Sequence, residues 1–137
     1  MKKQSRICIL ICLLVFSLLL CSCGWFKSAG KLREDVTVML DAVIANDFDA
    51  FYQKISAACS EEEAHPFFEG IREYLGGATT YELELYHVST GTEDGVRYRT
   101  EQYRVITDVG VYFVEIDQSS DVEGISGFRI TNEDEVD

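Results

Sequence analysis

Residues 77–107, GATTYELELYHVSTGTEDGVRYRTEQYRVIT, decide the fold, because here the hydrophobic period changes from helical to about two. From Thr80 to Ser89 two sets of side chains alternate, one of Tyr81, Leu83, Leu85 and His87 and the other of Glu82, Glu84, Tyr86 and Val88. Glu93-Asp94-Gly95 then has the composition of a tight turn. The returning segment, Val96 to Thr107, is rich in Tyr, Arg, Thr and Val, so the stretch predicts a β-hairpin.

Two more strands are predicted after this hairpin. Asp108 to Gly110 turns the chain, and Val111 to Asp117 is apolar on both faces apart from Glu115, as expected of a strand inside a sheet. Its predicted neighbour is Ile125 to Thr131, which the chain enters through a polar loop. The pattern therefore predicts an antiparallel meander.

Helices are predicted before the hairpin. Lys31 to Asn46 places a stripe of apolar residues at helical spacing, namely Leu32, Val36, Met39, Leu40 and Val43. Asp47 is a suitable N-cap for a second, short helix with Phe48, Phe51, Tyr52 and Ile55 as its apolar residues. Helices followed by an antiparallel sheet define an α+β arrangement in which the helices cover one face of the sheet.

A third helical region begins with Ser60-Glu61-Glu62-Glu63, which has the spacing of a capping box. Pro66 interrupts a single helix here and favours the first turn of a new segment. That segment has one apolar face, made of Phe67, Phe68, Ile71, Tyr74 and Leu75, and Gly76-Gly77 ends it.

The N-terminus has the features of an export signal. Lys2, Lys3 and Arg6 precede an apolar run from Ile7 to Leu20, which at fourteen residues is shorter than the roughly 20 that a membrane-spanning helix needs. An uncleaved membrane anchor is the alternative. The composition favours a signal peptide over residues 1–22 that is removed from the mature protein.

The signal ends in Leu20-Cys21-Ser22-Cys23-Gly24, which resembles the bacterial lipobox. The resemblance implies that Cys23 is lipidated, since a cysteine thiolate is the nucleophile that accepts the lipid. Cys21 fits less well because the bulky Leu20 precedes it. Residues 23–30 would then be a lipidated tether beside the membrane, and Cys59 the remaining free thiol, interpreted as a small buried hydrophobe.

Size and charge limit the classes of partner. Removing residues 1–22 leaves 115 residues, enough for one domain, with nine basic residues against 24 acidic ones and a net charge of −15. Such a field repels phosphate backbones, so nucleic acid is excluded as a partner.

The order of elements resembles the cone-shaped nuclear transport factor 2-like, or cystatin-like, fold, and in particular uncharacterised bacterial lipoproteins built on it. The residues that carry the resemblance are Val38 to Tyr52, with the Ala45-Asn46-Asp47-Phe48 break, and the closing Gly124 to Ile130. It covers residues 31–131 and implies N-terminal helices packed on a curved antiparallel β-sheet. Residues 132–137 are predicted to be an acidic, flexible tail.

In enzymes of that fold a pocket between sheet and helices holds an Asp, a His or a Tyr for proton transfer. His87 is the candidate here, because it alternates with Tyr81, Leu83 and Leu85, and Tyr98, Tyr103 or Glu115 could approach it. A surface or structural histidine is the alternative. No cofactor or metal site is predicted, because His65, after three glutamates, is better explained by an exposed helix start.

Arg97, Arg99 and Arg104 on the returning strand allow two interpretations. They could form a face that binds an anionic ligand or a protein, or they could pair across strands with Glu82 and Glu84. The second interpretation is favoured.

The leading functional interpretation is a ligand-binding or protein-binding domain of the cell envelope, anchored outside the cytoplasm by an N-terminal lipid such as palmitate. Two alternatives stay open. One is a small isomerase-like or dehydratase-like enzyme that uses His87, and the other is a structural module that forms a homodimer through its sheet.

Replacing Cys23 with Ala is expected to abolish incorporation of labelled fatty acid, because serine and alanine offer no comparable nucleophile for acylation. Labelling cells that express the wild-type chain, Cys23→Ala or the control Cys21→Ala measures this directly. Equal incorporation into the wild type and Cys23→Ala would refute the assignment.

Overall fold

The computed structural model of the protein describes residues 30–135, so the predicted signal peptide and Cys23 lie outside the described residues. The chain separates into two units between Lys31 and Leu32, and the elements below belong to the second. They are α1 (Arg33–Ile44), α2 (Phe48–Ile55), α3 (Glu61–Tyr74), β1 (Tyr81–Glu93), β2 (Val96–Thr107), β3 (Val111–Ser119), β4 (Gly127–Asn132) and a 3₁₀ helix (Glu133–Glu135). The strands form an antiparallel sheet in the order β1-β2-β3-β4, which confirms the predicted α+β class and meander.

The first two helices form where the sequence predicts them, although α1 begins two residues later and ends two residues earlier than the predicted Lys31 to Asn46. All five residues of the predicted stripe on α1 are buried. Asp47 caps α2 by accepting a hydrogen bond from the backbone N–H of Ala50 at 3.1 Å. Asn46 adopts a positive φ of 56° between the two helices, a conformation that asparagine tolerates better than most residues.

The third helix differs from the prediction, because α3 runs without a break from Glu61 to Tyr74 and contains Pro66. The capping box is present, with the Ser60 N–H donating to Glu63 Oε2 at 3.0 Å and the Glu63 N–H donating to Ser60 Oγ at 3.3 Å. Pro66 removes one hydrogen bond, to the carbonyl of the exposed Glu62, which solvent can satisfy. Burial of Ala64 before the proline and of Phe68 after it keeps both halves on the core.

A β-bulge in β1 changes which residues share a face. Leu85 lies opposite the buried Tyr103 of β2, but His87, two positions on, lies opposite Gln102. Because neighbouring residues of β2 point to opposite faces, His87 points away from the face that carries Leu85. The prediction that His87 shares a face with Tyr81, Leu83 and Leu85 was therefore wrong, since Tyr86 is the additional residue of the bulge.

The helices pack on one face of the sheet, called the inner face here. It carries six buried side chains of β2 and β3, which are Glu101, Tyr103, Val105, Tyr112, Val114 and Ile116. Phe128 of β4 contacts Phe51 and Phe67, with ring centroids 6.1 and 6.3 Å apart. The opposite face of the sheet is called the outer face below.

Contacts also reach the residues that follow β4. Glu133 pairs with Arg104 at 3.2 Å, and the Tyr74 hydroxyl donates to Glu135 at 2.6 Å. Asn132 belongs to β4 and donates its N–H to the Tyr74 oxygen. The predicted flexibility of residues 132–137 is not tested by these contacts and stays a prediction.

A buried carboxylate joins the start of α1 to the sheet. Glu101 is fully buried, and both its oxygens accept from the backbone N–H of Leu32, at 3.2 and 3.1 Å. The Tyr103 hydroxyl donates to the same carboxylate at 3.1 Å, and Arg99 forms an ion pair with it at 3.1 Å. A buried charge is tolerated only when it is paired and hydrogen-bonded, and these three partners meet that need.

Glu101→Ala is expected to lower the free energy of unfolding by about 3 kcal/mol, because it leaves the Leu32 N–H and the Tyr103 hydroxyl unpaired in the core. Urea denaturation followed by circular dichroism measures the loss. Glu115→Ala is the matched control, since this β3 glutamate also pairs with an arginine but at the outer face, and should cost less than about 1 kcal/mol. Equal losses in the two variants would contradict the role given to Glu101.

Candidate functional site

The inner face leaves little room for a catalytic pocket where the structure describes it. Tyr103 and Val114 are completely buried, and Met39, Phe51 and Phe68 of the helices fill the space against the sheet. In the described part of the chain, no buried side-chain polar atom lacks a hydrogen-bond partner. The interior is therefore a packed core.

The four residues predicted as catalytic candidates do not converge. His87 is exposed on the outer face, and Gln102 separates it from Glu115 in the same row of the sheet. Gln102 Nε2 donates to Glu115 Oε2 at 2.6 Å, and Arg129 pairs with that oxygen at 3.1 Å. Glu115 is thus occupied by structural partners.

The two tyrosines lie on opposite faces of β2. Tyr98 is 44% exposed near the end of the hairpin, opposite Gly91 and Ser119. Tyr103 points into the core, where burial and then the charge of Glu101 raise its pKa. Tyr103 therefore stays protonated as a hydrogen-bond donor to Glu101 and is not a general base.

Two of the three arginines of β2 have ion-pair partners, whereas among residues 30–135 the exposed Arg97 side chain forms no ion pair, so the predicted pairing with Glu82 or Glu84 is not seen for it. Arg104 lies between Glu84, at 3.5 Å, and Glu133, at 3.2 Å, which confirms the cross-strand interpretation for this residue. Arg99 pairs with Glu101 in its own strand, so the predicted pairing of Arg99 with Glu82 or Glu84 was wrong. The reason is that Arg99 occupies an inner-face position of β2, whereas Glu82 and Glu84 lie on the outer face of the sheet.

Two residues outside the sheet, His65 and Cys59, also have side chains capable of acid–base or nucleophilic chemistry. His65 is exposed, stacks on Phe48 with ring centroids 3.6 Å apart, and has Nε2 3.9 Å from Glu61. Cys59 is half-buried in a groove of about 210 Å³, where burial and then the charge of Glu63 raise its pKa. A raised pKa lowers the thiolate fraction, the opposite of an activated nucleophile. Among residues 30–135, no three His, Cys, Asp or Glu side chains gather as a metal site.

The outer face carries an aromatic pair of one exposed and one half-buried ring. Tyr86, the bulge residue, is 66% exposed and packs on Phe113 of β3 with ring centroids 5.1 Å apart. Arg104 is in the same row as Phe113, and Arg129 is in the next row. We call Tyr86, Phe113, Arg104 and Arg129 the aromatic patch. The apolar character of both faces of β3 was visible in the sequence, but the pairing of Phe113 with Tyr86 depends on the bulge.

A groove separates α1 from the edge strand β1. It encloses about 740 Å³, with Arg33, Thr37 and Asp41 on the helix side and residues 79–84 on the strand side. Arg33 Nη2 donates to the Leu83 carbonyl at 2.7 Å, and the Tyr81 hydroxyl donates to Asp41 at 2.7 Å. The sequence analysis did not predict this groove, because the local amino-acid pattern does not show which strand forms the sheet edge or which helix lies beside it.

Comparisons of the chain with protein-family models, with curated proteins and with solved structures found no match. The resemblance to the nuclear transport factor 2-like fold therefore stays a prediction. Over residues 30–135, none of the helices combines the length and the apolar character required to cross a bilayer.

Alkylation of Cys59 in the folded protein is expected to show a midpoint above pH 9.0, the ordinary pKa of the thiol, because burial disfavours the thiolate. Iodoacetamide labelling across a pH series, followed by mass spectrometry of the peptide that contains Cys59, measures it. The same series in concentrated guanidinium chloride is the control and should give the ordinary value. A midpoint near neutral pH in the folded protein would instead indicate an activated cysteine.

Proposed function

We propose that the chain is an extracytoplasmic lipoprotein, anchored through Cys23, whose α+β domain binds a partner protein of the cell envelope through the aromatic patch. The observation that carries the binding role is the exposed Tyr86 ring, packed on the half-buried Phe113, on a sheet face that no described helix covers. A nuclear transport factor 2-like architecture for this domain is part of the proposal.

The chemistry of the aromatic patch is typical of protein interfaces. Tyrosine and arginine are enriched among the residues that contribute most binding energy, and the aromatic pair supplies apolar area at low entropic cost. Arg104 and Arg129 are already held by carboxylates of the same chain, which fixes their direction before a partner arrives. A partner with a largely uncharged, apolar contact surface is therefore favoured.

The placement of the catalytic candidates favours binding over the enzymatic alternative. His87 and Glu115 share the outer face, but Gln102 lies between them, and Tyr103 is on the other side of the sheet. General acid–base catalysis needs its groups within hydrogen-bonding reach of one substrate position. No described pair of these candidates is arranged in that way.

The proposal is tested by placing a photo-crosslinking amino acid at Tyr86 in the full-length chain, expressed in its natural host. Irradiation is expected to give one discrete adduct in the membrane fraction. A crosslinker at the exposed Gln53 of α2 is the control and should not give it. Adding Phe113→Ala to the Tyr86 crosslinker chain should reduce the yield, because the aromatic patch loses its packing.

The captured protein is identified by mass spectrometry and purified, and it should bind the detergent-solubilised full chain. Tyr86→Ala should raise the Kd about thirtyfold, which is the effect of a typical hot-spot residue. Unchanged affinity, or equal adducts from positions 86 and 53, would overturn the proposal. An adduct of twice the chain's own mass would instead support the homodimer alternative.

A further inference from the structure

The second surface of interest is the free edge of the sheet. β1 is the terminal strand of the order β1-β2-β3-β4, and over residues 30–135 no strand pairs with its other side. An unpaired edge presents N–H and C=O groups that can pair with another chain. At 13 residues, β1 is also the longest strand described.

The direction of the edge groups follows from two contacts. The Thr80 carbonyl accepts from the Asp108 N–H, so it points towards β2, whereas the Leu83 carbonyl accepts from Arg33 of α1 and points away. The N–H and C=O groups of successive residues in a strand point to opposite sides. The N–H and C=O groups of Tyr81 and Leu83 therefore face the groove between β1 and α1. The groove therefore exposes a ladder of backbone donors and acceptors.

The charges along this edge are mostly negative. Glu82 and Glu84 lie on the outer face of β1, and Asp41 lines the groove from α1. Arg104 approaches Glu84 but is shared with Glu133, so these three side chains keep one net negative charge. Arg33 is the basic residue that lines the groove, and its guanidinium is held at the Leu83 carbonyl.

We propose that β1 binds an extended segment of a partner protein that carries basic residues at alternate positions. The segment adds a fifth strand beside Tyr81 to Leu85, its N–H groups replace Arg33 at the Leu83 carbonyl, and its basic side chains lie opposite Glu82 and Glu84. Strand addition of this kind takes affinity from the backbone bonds and specificity from alternate side chains.

Charge makes a second copy of this chain a poor occupant. In an antiparallel β1–β1 pair with two-fold symmetry centred on Leu83, Glu82 of each copy lies opposite Glu84 of the other. Centring the pair on Glu82 or on Glu84 places that residue opposite itself. Like charges directly opposite one another destabilise a strand pair, whereas opposite charges stabilise it. In these three registers the edge is protected against self-association, while it stays open to a basic strand.

This surface adjoins the aromatic patch through the Arg104–Glu84 ion pair, but the inference does not depend on the proposed function. Failure of the crosslinking experiment at Tyr86 leaves the edge proposal standing, and failure of the edge experiment leaves the patch proposal standing. The two can be separated because the patch experiment measures crosslinking at Tyr86, whereas the edge experiment measures protection of the backbone amides of β1.

The test uses the full chain in detergent and a fluorescent heptapeptide in which lysine and valine alternate. Fluorescence anisotropy is expected to show saturable binding, and a peptide that alternates glutamate and valine should not bind. Combining Glu82→Lys with Glu84→Lys should lower the affinity for the lysine peptide about tenfold and allow the glutamate peptide to bind.

The matched control combines Glu62→Lys with Glu73→Lys, two exposed positions of α3. It changes the net charge of −12 by the same amount but leaves the edge intact, so binding should change by less than about twofold. Equal weakening in both double variants would show non-specific attraction of a cationic peptide and overturn the proposal.

Amide hydrogen exchange gives the readout that is specific for strand addition. The N–H groups of Tyr81 and Leu83 should exchange at least tenfold more slowly when the lysine peptide is bound. Binding of the lysine peptide without this protection would overturn the proposal of strand addition. Protection that instead rises with protein concentration, in the absence of peptide, would identify a second copy as the occupant and overturn the assignment of a basic partner.

Discussion

The buried carboxylate of Glu101 is the constraint on which the packing of the domain depends. It lies where β2 passes beneath the start of α1, and it accepts from the Leu32 N–H and the Tyr103 hydroxyl while it pairs with Arg99. The N-terminal N–H groups of a helix need acceptors and carry a partial positive charge, so a carboxylate there satisfies both demands. Because Glu101 and Leu32 are 69 positions apart in sequence, this contact fixes the helical layer on the sheet.

Fixing α1 in this way has consequences for where the protein can interact. The helices fill the inner face with a core that includes Val36, Phe51 and Tyr103, so the proposed binding surfaces lie on the outer face and at the β1 edge. The same attachment places α1 beside β1 and so creates the groove in which Arg33 meets the Leu83 carbonyl. Both proposed surfaces thus follow from which side of the sheet the helices occupy.

The bulge in β1 shows how one residue limits sequence-based inference about a site. Period-two alternation assigned His87 to the inner face, but the extra residue, Tyr86, reverses the parity after Leu85. The same residue packs its exposed ring on the half-buried Phe113 and forms the aromatic pair. The energetic preference for a bulge depends on the neighbouring strand and on burial, so the local sequence carried no signal for it.

The sequence by itself determined the order of the helices and strands and several of their caps and turns, because these depend on local interactions. The Asp47 cap, the Ser60–Glu63 capping box, the turn at Asp94-Gly95 and the apolar stripe of α1 act over a few residues each. Only the tertiary structure decided the continuity of α3 through Pro66, the face occupied by His87 and the burial of Glu101. These features depend on contacts between residues far apart in the chain, and their energies cannot be read from the spacing of residues along it.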